Sequence, residues 1–205
     1  MELVALFYLV DEFCKEFEPR WKAQLLTSGV AKRVKPSALS LSEVLTILIY
    51  FHQSNHKTFK GYYTGYVSAQ LTADFPNLVS YGRFVELMED ASIPLCALLT
   101  YLLGTPTLAN FIDSTKLVVC DNHRIGRNRV FKDIAARGKS SMGWFYGFKL
   151  HLVVNERGEI TAFMLTPGNV ADNNPRLGIK LCHKLHGKLY ADRGYISKEL
   201  LEVLW

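Results

Sequence analysis

The first half of the chain repeats apolar residues at three- and four-residue spacing, the period of a helix that buries one face. Leu3, Leu6, Phe7, Val10, Phe13, Cys14 and Phe17 make the first such stripe, and a stretch holding the breakers Gly29 and Pro36 follows it. Ser40 and Glu43 precede Leu45, Ile47, Leu48 and Ile49. That capping-box signature predicts a buried helix running to about Ser54. Further helices are predicted over residues 58–71, 80–91 and 93–103, and Gly104-Thr105-Pro106 punctuates their end. The pattern divides the chain into a helical region, residues 1–105, and a second region, residues 106–205.

After the punctuation the period changes. Leu108 to Cys120 is rich in β-branched and apolar residues and predicts a strand. Phe145 to Asn155 and Glu159 to Thr166 flank a turn at Glu156-Arg157-Gly158, which predicts a hairpin. Asn174-Pro175 supplies an N-cap with proline at the first helical position, and Leu177, Ile179, Leu181, Cys182 and Leu185 carry a helix to near Gly187. Leu189 to Ala191 then reads as a short buried strand, and Ile196 to Trp205 as the start of another helix. Strand, hairpin, helix, strand, helix is an α/β order.

Charge is distributed unevenly over these regions. Residues 1–105 hold nine Lys and Arg against ten Asp and Glu, whereas residues 106–205 hold fifteen against nine, so the whole excess behind the net charge of +5 lies in the second region. Within it Lys116, Arg124, Arg127, Arg129, Lys132, Arg137, Lys139 and Lys149 face only two acids, Asp121 and Asp133. The segment Arg124 to Lys139 lacks an apolar stripe, and it reads as a solvated loop or as a contact surface for a DNA backbone. The density of cations favours DNA, with contacts that position the duplex more than they read its sequence. Cys14, Cys96, Cys120 and Cys182 are far apart and mostly in apolar surroundings, the pattern of reduced thiols in a cytosolic protein. No apolar run reaches the roughly 20 residues a membrane span needs, so a membrane partner is not expected.

Two aspartates carry the candidate chemistry. Asp113 follows Phe111-Ile112 and Asp192 follows Leu189-Tyr190-Ala191, each at the end of an apolar strand-like run. A lone Asp after a strand is ordinarily a turn former. Asp113, however, continues into Leu117, Val118 and Val119, and a buried or half-buried acid there needs a cation or hydrogen bonds. If the strand of Leu189 pairs beside that of Phe111, both carboxylates emerge on one rim of the sheet and supply what a Mg²⁺ or Mn²⁺ ion takes from a protein. A divalent ion beside cationic surface suits in-line displacement at phosphorus. Glu199 and Glu202 read as solvated helix-face residues, not as further ligands.

With these residues in place the chain resembles bacterial insertion-sequence transposases of the DDE class, closest to the nine-eight-two group of insertion sequences. The resemblance rests on Phe111-Ile112-Asp113-Ser114-Thr115, on the basic run from Val130 to Asn155, on Leu165 to Pro175, on Ala191 to Ser197 around the second acid, and on Leu45 to Tyr63 in the first half. It implies a ribonuclease H-like mixed sheet with helices, incomplete in this chain, behind a helical DNA-binding region. It also implies catalytic, metal-holding roles for Asp113 and Asp192. Double-stranded DNA, both transposon ends and target, is the implied partner, and both a monomer and a homo-oligomer are compatible with the sequence. The family's third acid is a glutamate on a later helix, whereas this sequence stops at Trp205. The expectation is therefore a truncated chain with little or no strand transfer of its own. The alternative is a non-catalytic DNA-binding remnant that interferes with a complete transposase.

Other residues have plainer readings. Lys149 and His151 share one face of their strand, where His151 reads as a satisfied structural histidine and Lys149 as either a phosphate contact or an exposed position. Asp172 reads as a turn and capping residue. Phe59, Tyr62, Tyr63 and Tyr66 have the spacing of a packing face, with a DNA-stacking surface as the minority reading. No helix-turn-helix pattern stands out in the first half, so DNA binding there follows from the resemblance alone.

Overall fold

A computed structural model describes residues 1–29, 33, 37–195 and 202. The chain forms two compact units, Met1–Leu102 and Leu103–Trp205. Among the described residues no helix is long and apolar enough to cross a membrane.

The first unit is helical. α1 (Leu3–Thr27) buries Leu6, Val10, Phe13 and Cys14, and runs on through Pro19, well past the apolar stripe that predicts it. α2 (Leu41–Gln53) begins at the expected capping box: the Ser40 hydroxyl accepts from the Glu43 amide, and the Glu43 carboxylate accepts from the Ser40 amide at 2.7 Å. Ser42 donates to Asp11 Oδ1 at 2.8 Å, tying α2 to α1. That bond, with the Lys15 ammonium, holds the Asp11 carboxyl below its usual range.

The next helical run is α3 (Phe59–Tyr62), a π-helical turn (Tyr63–Val67) and α4 (Ser68–Gln70). Widening the helix there lets consecutive tyrosines both reach the core. Tyr62 donates to Ile47 O and Tyr63 to Val79 O, and both are buried. The aromatic cluster is thus packing, as its spacing predicts. α5 (Tyr81–Asp90) and α6 (Ser92–Tyr101) complete the unit.

The second unit is built on a mixed sheet of β1 (Ala109–Cys120), β2 (Ala136–Ser140), β3 (Gly143–Asn155), β4 (Ile160–Pro167) and β5 (Lys188–Ala191). The order is β2-β3-β1-β5, with β4 also paired to β3. β1 holds one edge of β3, while β2 and β4 share the other, β2 along residues 143–147 and β4 along 148–154. All of these pairs are antiparallel except β1 with β5, which is parallel. Helices followed by this mixed sheet are consistent with a ribonuclease H-like fold.

The hairpin turn falls where the sequence places it. Gly158 adopts φ +81°, and the buried Asn155 side chain accepts from the Arg157 and Glu159 amides at 3.0 Å. β2 is an addition, lying in the basic run that reads as loop because Ala136-Arg137-Gly138-Lys139-Ser140 carries no apolar alternation. α7 (Pro175–Cys182) is capped by Asn174 as expected, but it ends short of Gly187. It packs Leu177, Leu181 and Cys182 against Ile112, Val153 and Tyr195, while on the opposite face Phe131 covers Tyr146 and Phe148, and Phe111, Leu117 and Tyr190 are exposed. On that face Phe111 stacks on Tyr190 with ring centroids 5.2 Å apart. The predicted helix from Ile196 to Trp205 lies outside the described residues, apart from Glu202, which is exposed.

Gly187 sets the entry to β5. Its φ is +80°, and a Cβ there would sit 2.4 Å from the Leu108 carbonyl oxygen, which accepts from the Lys188 amide at 2.7 Å. No side chain fits without moving backbone. Gly187→Ala should therefore destabilise the protein by about 1–3 kcal/mol, read as a lower urea midpoint with unchanged slope.

Candidate metal and DNA site

β5 lies parallel to β1 with Phe111 opposite Tyr190 and Ile112 opposite Ala191. Asp113 and Asp192 are each the next residue, so two carboxylates far apart in sequence leave adjacent strands at the same level. Side chains alternate along a strand, which puts Asp113 with its cross-strand partner Leu152 on the face away from Ile112 and α7. Asp113 is consequently exposed, and so is Asp192. The expectation of a buried or half-buried Asp113 is thereby corrected: α7 covers the other face of its strand.

Backbone amides orient both acids. Ser114 N–H donates to Asp113 Oδ1 at 2.7 Å, and Gly194 N–H donates to Asp192 Oδ1 at 2.8 Å. Among the described residues no group of three or more His, Cys, Asp or Glu side chains is placed to hold a metal ion. Exposed carboxylates fit Mg²⁺, which takes one or two of them and keeps several waters. Asp113 and Asp192 have that chemistry.

Behind the acids, on the α7 face, lies a polar cluster. His151 is 0% exposed, with Nδ1 3.0 Å from the Tyr195 hydroxyl and Nε2 3.0 Å from the Thr166 hydroxyl. It is the satisfied structural histidine its strand position suggests. Ser114 and the Lys149 ammonium both donate to Asp172 Oδ1, each at 3.1 Å. Asp172 is therefore no cap, since Asn174 has that role, and Lys149 is no exposed strand position. Ser114 adjoins Asp113 and Tyr195 lies three residues past Asp192, so the cluster fastens together the two segments that carry the acids. Burial raises the Tyr195 phenol pKa, the Ser114 hydroxyl partly offsets this, and the Asp172, Asp113 and Asp192 carboxylates add to the rise. All three acids thus lie within electrostatic reach of one phenol.

The basic residues spread over the same unit. Arg124 and Arg127 lie on a 3₁₀ helix (Asn122–Arg127), Arg129 and Lys132 on the following loop, and Arg137 and Lys139 on β2. All six are exposed, and among the described residues none is in an ion pair. Lys116 is half-buried, opposite Lys149 in the β1–β3 register. Arg137, Lys139 and Lys149 meet at a groove of about 460 Å³ that Gly194 also lines. Trp144 lines it as well; sequence reasoning passed over this residue, although a tryptophan in a polar, cationic hairpin was the available signal.

Residues 103–205 match the model of the transposase DDE domain, and the chain belongs to that family. No match was found among curated proteins or among solved structures. Membership implies DNA as a partner and, as for DDE transposases in general, use of divalent metal ions.

Burial lowers the pKa of His151; the Asp172 carboxylate opposes this shift and the Lys149 ammonium reinforces it. The unfolded chain, with an ordinary histidine pKa near 6.5, takes up the proton before the folded chain does. Stability from this group is present above about pH 6.5 and is lost as pH falls through that value toward the folded pKa. Thermal unfolding from pH 8 to pH 5 should show the decline, and His151→Gln should flatten it relative to the unmodified chain.

Proposed function

We propose that this chain is an insertion-sequence DNA transposase, similar to the nine-eight-two group, in which Asp113 and Asp192 hold Mg²⁺ or Mn²⁺ beside bound double-stranded DNA. The observation that supports this most is the parallel register of β5 on β1, which sets the two acids on neighbouring strands in a chain of the transposase DDE domain family. A bound divalent ion supplies a lowered pKa to an attacking water or 3′-hydroxyl and charge stabilisation at the leaving oxygen. The protein's part is to hold the carboxylates by the Ser114 and Gly194 amides and to align the phosphate chain. Arg124, Arg127, Arg129, Lys132, Arg137 and Lys139, with Lys116 and Lys149 at the rim, neutralise backbone phosphates and release counterions, which favours transposon ends and target DNA alike. The helical unit is taken as a further DNA-binding region.

A second reading is a DNA-binding protein without catalysis that acts through mixed assemblies with a complete transposase. It is favoured by the absence, among the described residues, of a third carboxylate grouped with Asp113 and Asp192.

DNA binding and nicking with and without Mg²⁺ separate the two. Under the first, Asp113→Asn and Asp192→Asn each remove a Mg²⁺-dependent component. Under the second, binding ignores both the ion and the substitutions, and no nicking occurs. In either case Arg137→Gln should weaken binding uniformly across sequences and reduce the slope of log affinity against log salt by about 1. An unchanged slope would remove Arg137 from the interface.

A further inference from the structure

We propose that the groove beside Asp192 takes one unpaired DNA nucleotide, its base stacked on Trp144 and its phosphates held by Arg137, Lys139 and Lys149. The inference rests on the DNA reading above and narrows the ligand from closed duplex to a strand end or a melted position.

The groove is built by glycines. A Cβ on Gly138 would lie 2.1 Å from the Gly168 carbonyl oxygen, and one on Gly168 would lie 2.7 Å from the Ala136 carbonyl oxygen. Only hydrogen at both positions lets the loop after β4 press against β2, and residues 168–173 of that loop form a wall of the groove. The volume of about 460 Å³ falls in the range of small-ligand clefts, roughly 300–1,000 Å³. Its charged lining comprises the cations of Arg137, Lys139 and Lys149 against the single carboxylate of Asp172, a balance suited to phosphate.

Trp144 supplies the apolar part. It is 61% exposed, so its indole contributes little to the core, and it stands opposite Lys139 in the β2–β3 register. The Lys139 ammonium sits 5.9 Å from the ring centroid. An aromatic plane flanked by cations is the pairing that holds single-stranded nucleic acid, because any base offers a π-face while the cations follow the backbone. In closed duplex both faces of every base are covered by neighbours, so the indole has no partner there. Gly194, whose amide holds Asp192, lines the same groove, so a nucleotide bound there sits close to Asp192.

The test uses the full chain and two oligonucleotide duplexes, one with a single unpaired 2-aminopurine and one with the same base paired. Wild-type protein should quench the unpaired probe and bind it more tightly than the paired one. Trp144→Ala should abolish the quenching and weaken binding of the unpaired probe on the order of tenfold, with paired affinity unchanged. Trp144→Phe, which keeps an aromatic plane, should retain both effects. Quenching by Trp144→Ala equal to wild type, or equal affinity of wild type for the two probes, overturns the inference while leaving duplex binding intact. Failure of the wild-type chain to bind either probe overturns the DNA reading and this inference with it.

Discussion

The short parallel pairing of Ala109 to Ile112 with Lys188 to Ala191 determines whether this chain has a site at all. It is the sole parallel contact in a sheet whose other described pairs are antiparallel, and it sets Asp113 and Asp192 side by side. A slip of one residue would turn one acid to the other face of the sheet. Two features guard the register: the close approach of Gly187 to Leu108 at the start of β5, and the stacking of Phe111 on Tyr190 within it.

The cluster behind the acids secures the same register from the other face. A buried imidazole, a phenol, two hydroxyls and a lysine–aspartate pair would each be costly alone, and together they meet most of one another's hydrogen-bonding needs. Because Ser114 and Tyr195 flank the two acids in sequence, this network and the acid pair respond to the same displacements. The face that carries Asp113 has the opposite character: Phe111, Leu117, Leu165 and Tyr190 are substantially exposed there.

Much of this was legible in the sequence, where the signals are local. The Ser40–Glu43 capping box, the Glu156-Arg157-Gly158 turn and the Asn174-Pro175 cap each depend on residues a few positions apart, and each appears where the pattern puts it. The Leu189 strand pairs beside that of Phe111, the condition on which a shared rim for the two acids depends. What escaped depends on distant partners. Asp172 does sit in a turn, closed by the Asn174 amide on Ala171 O, but its carboxylate's partners Lys149 and Ser114 lie 23 and 58 positions away. β2 escaped because its pairing with β3 is satisfied through backbone, with glycine and charged side chains in place of alternating apolar ones. Asp113 is exposed where the sequence suggests a buried or half-buried acid, because apolar neighbours in sequence say nothing about which face of a sheet a helix will cover.

The sheet also fixes when the acids can meet. Hairpins such as β3–β4 close short loops and form early, whereas β5 must return across nearly the whole unit to reach β1, a closure with a larger entropic cost. A chain still emerging from the ribosome therefore holds its first acid apart from its second until almost all of the unit has been made. Connectivity alone thus keeps the two carboxylates apart in the nascent polypeptide until β5 has been made.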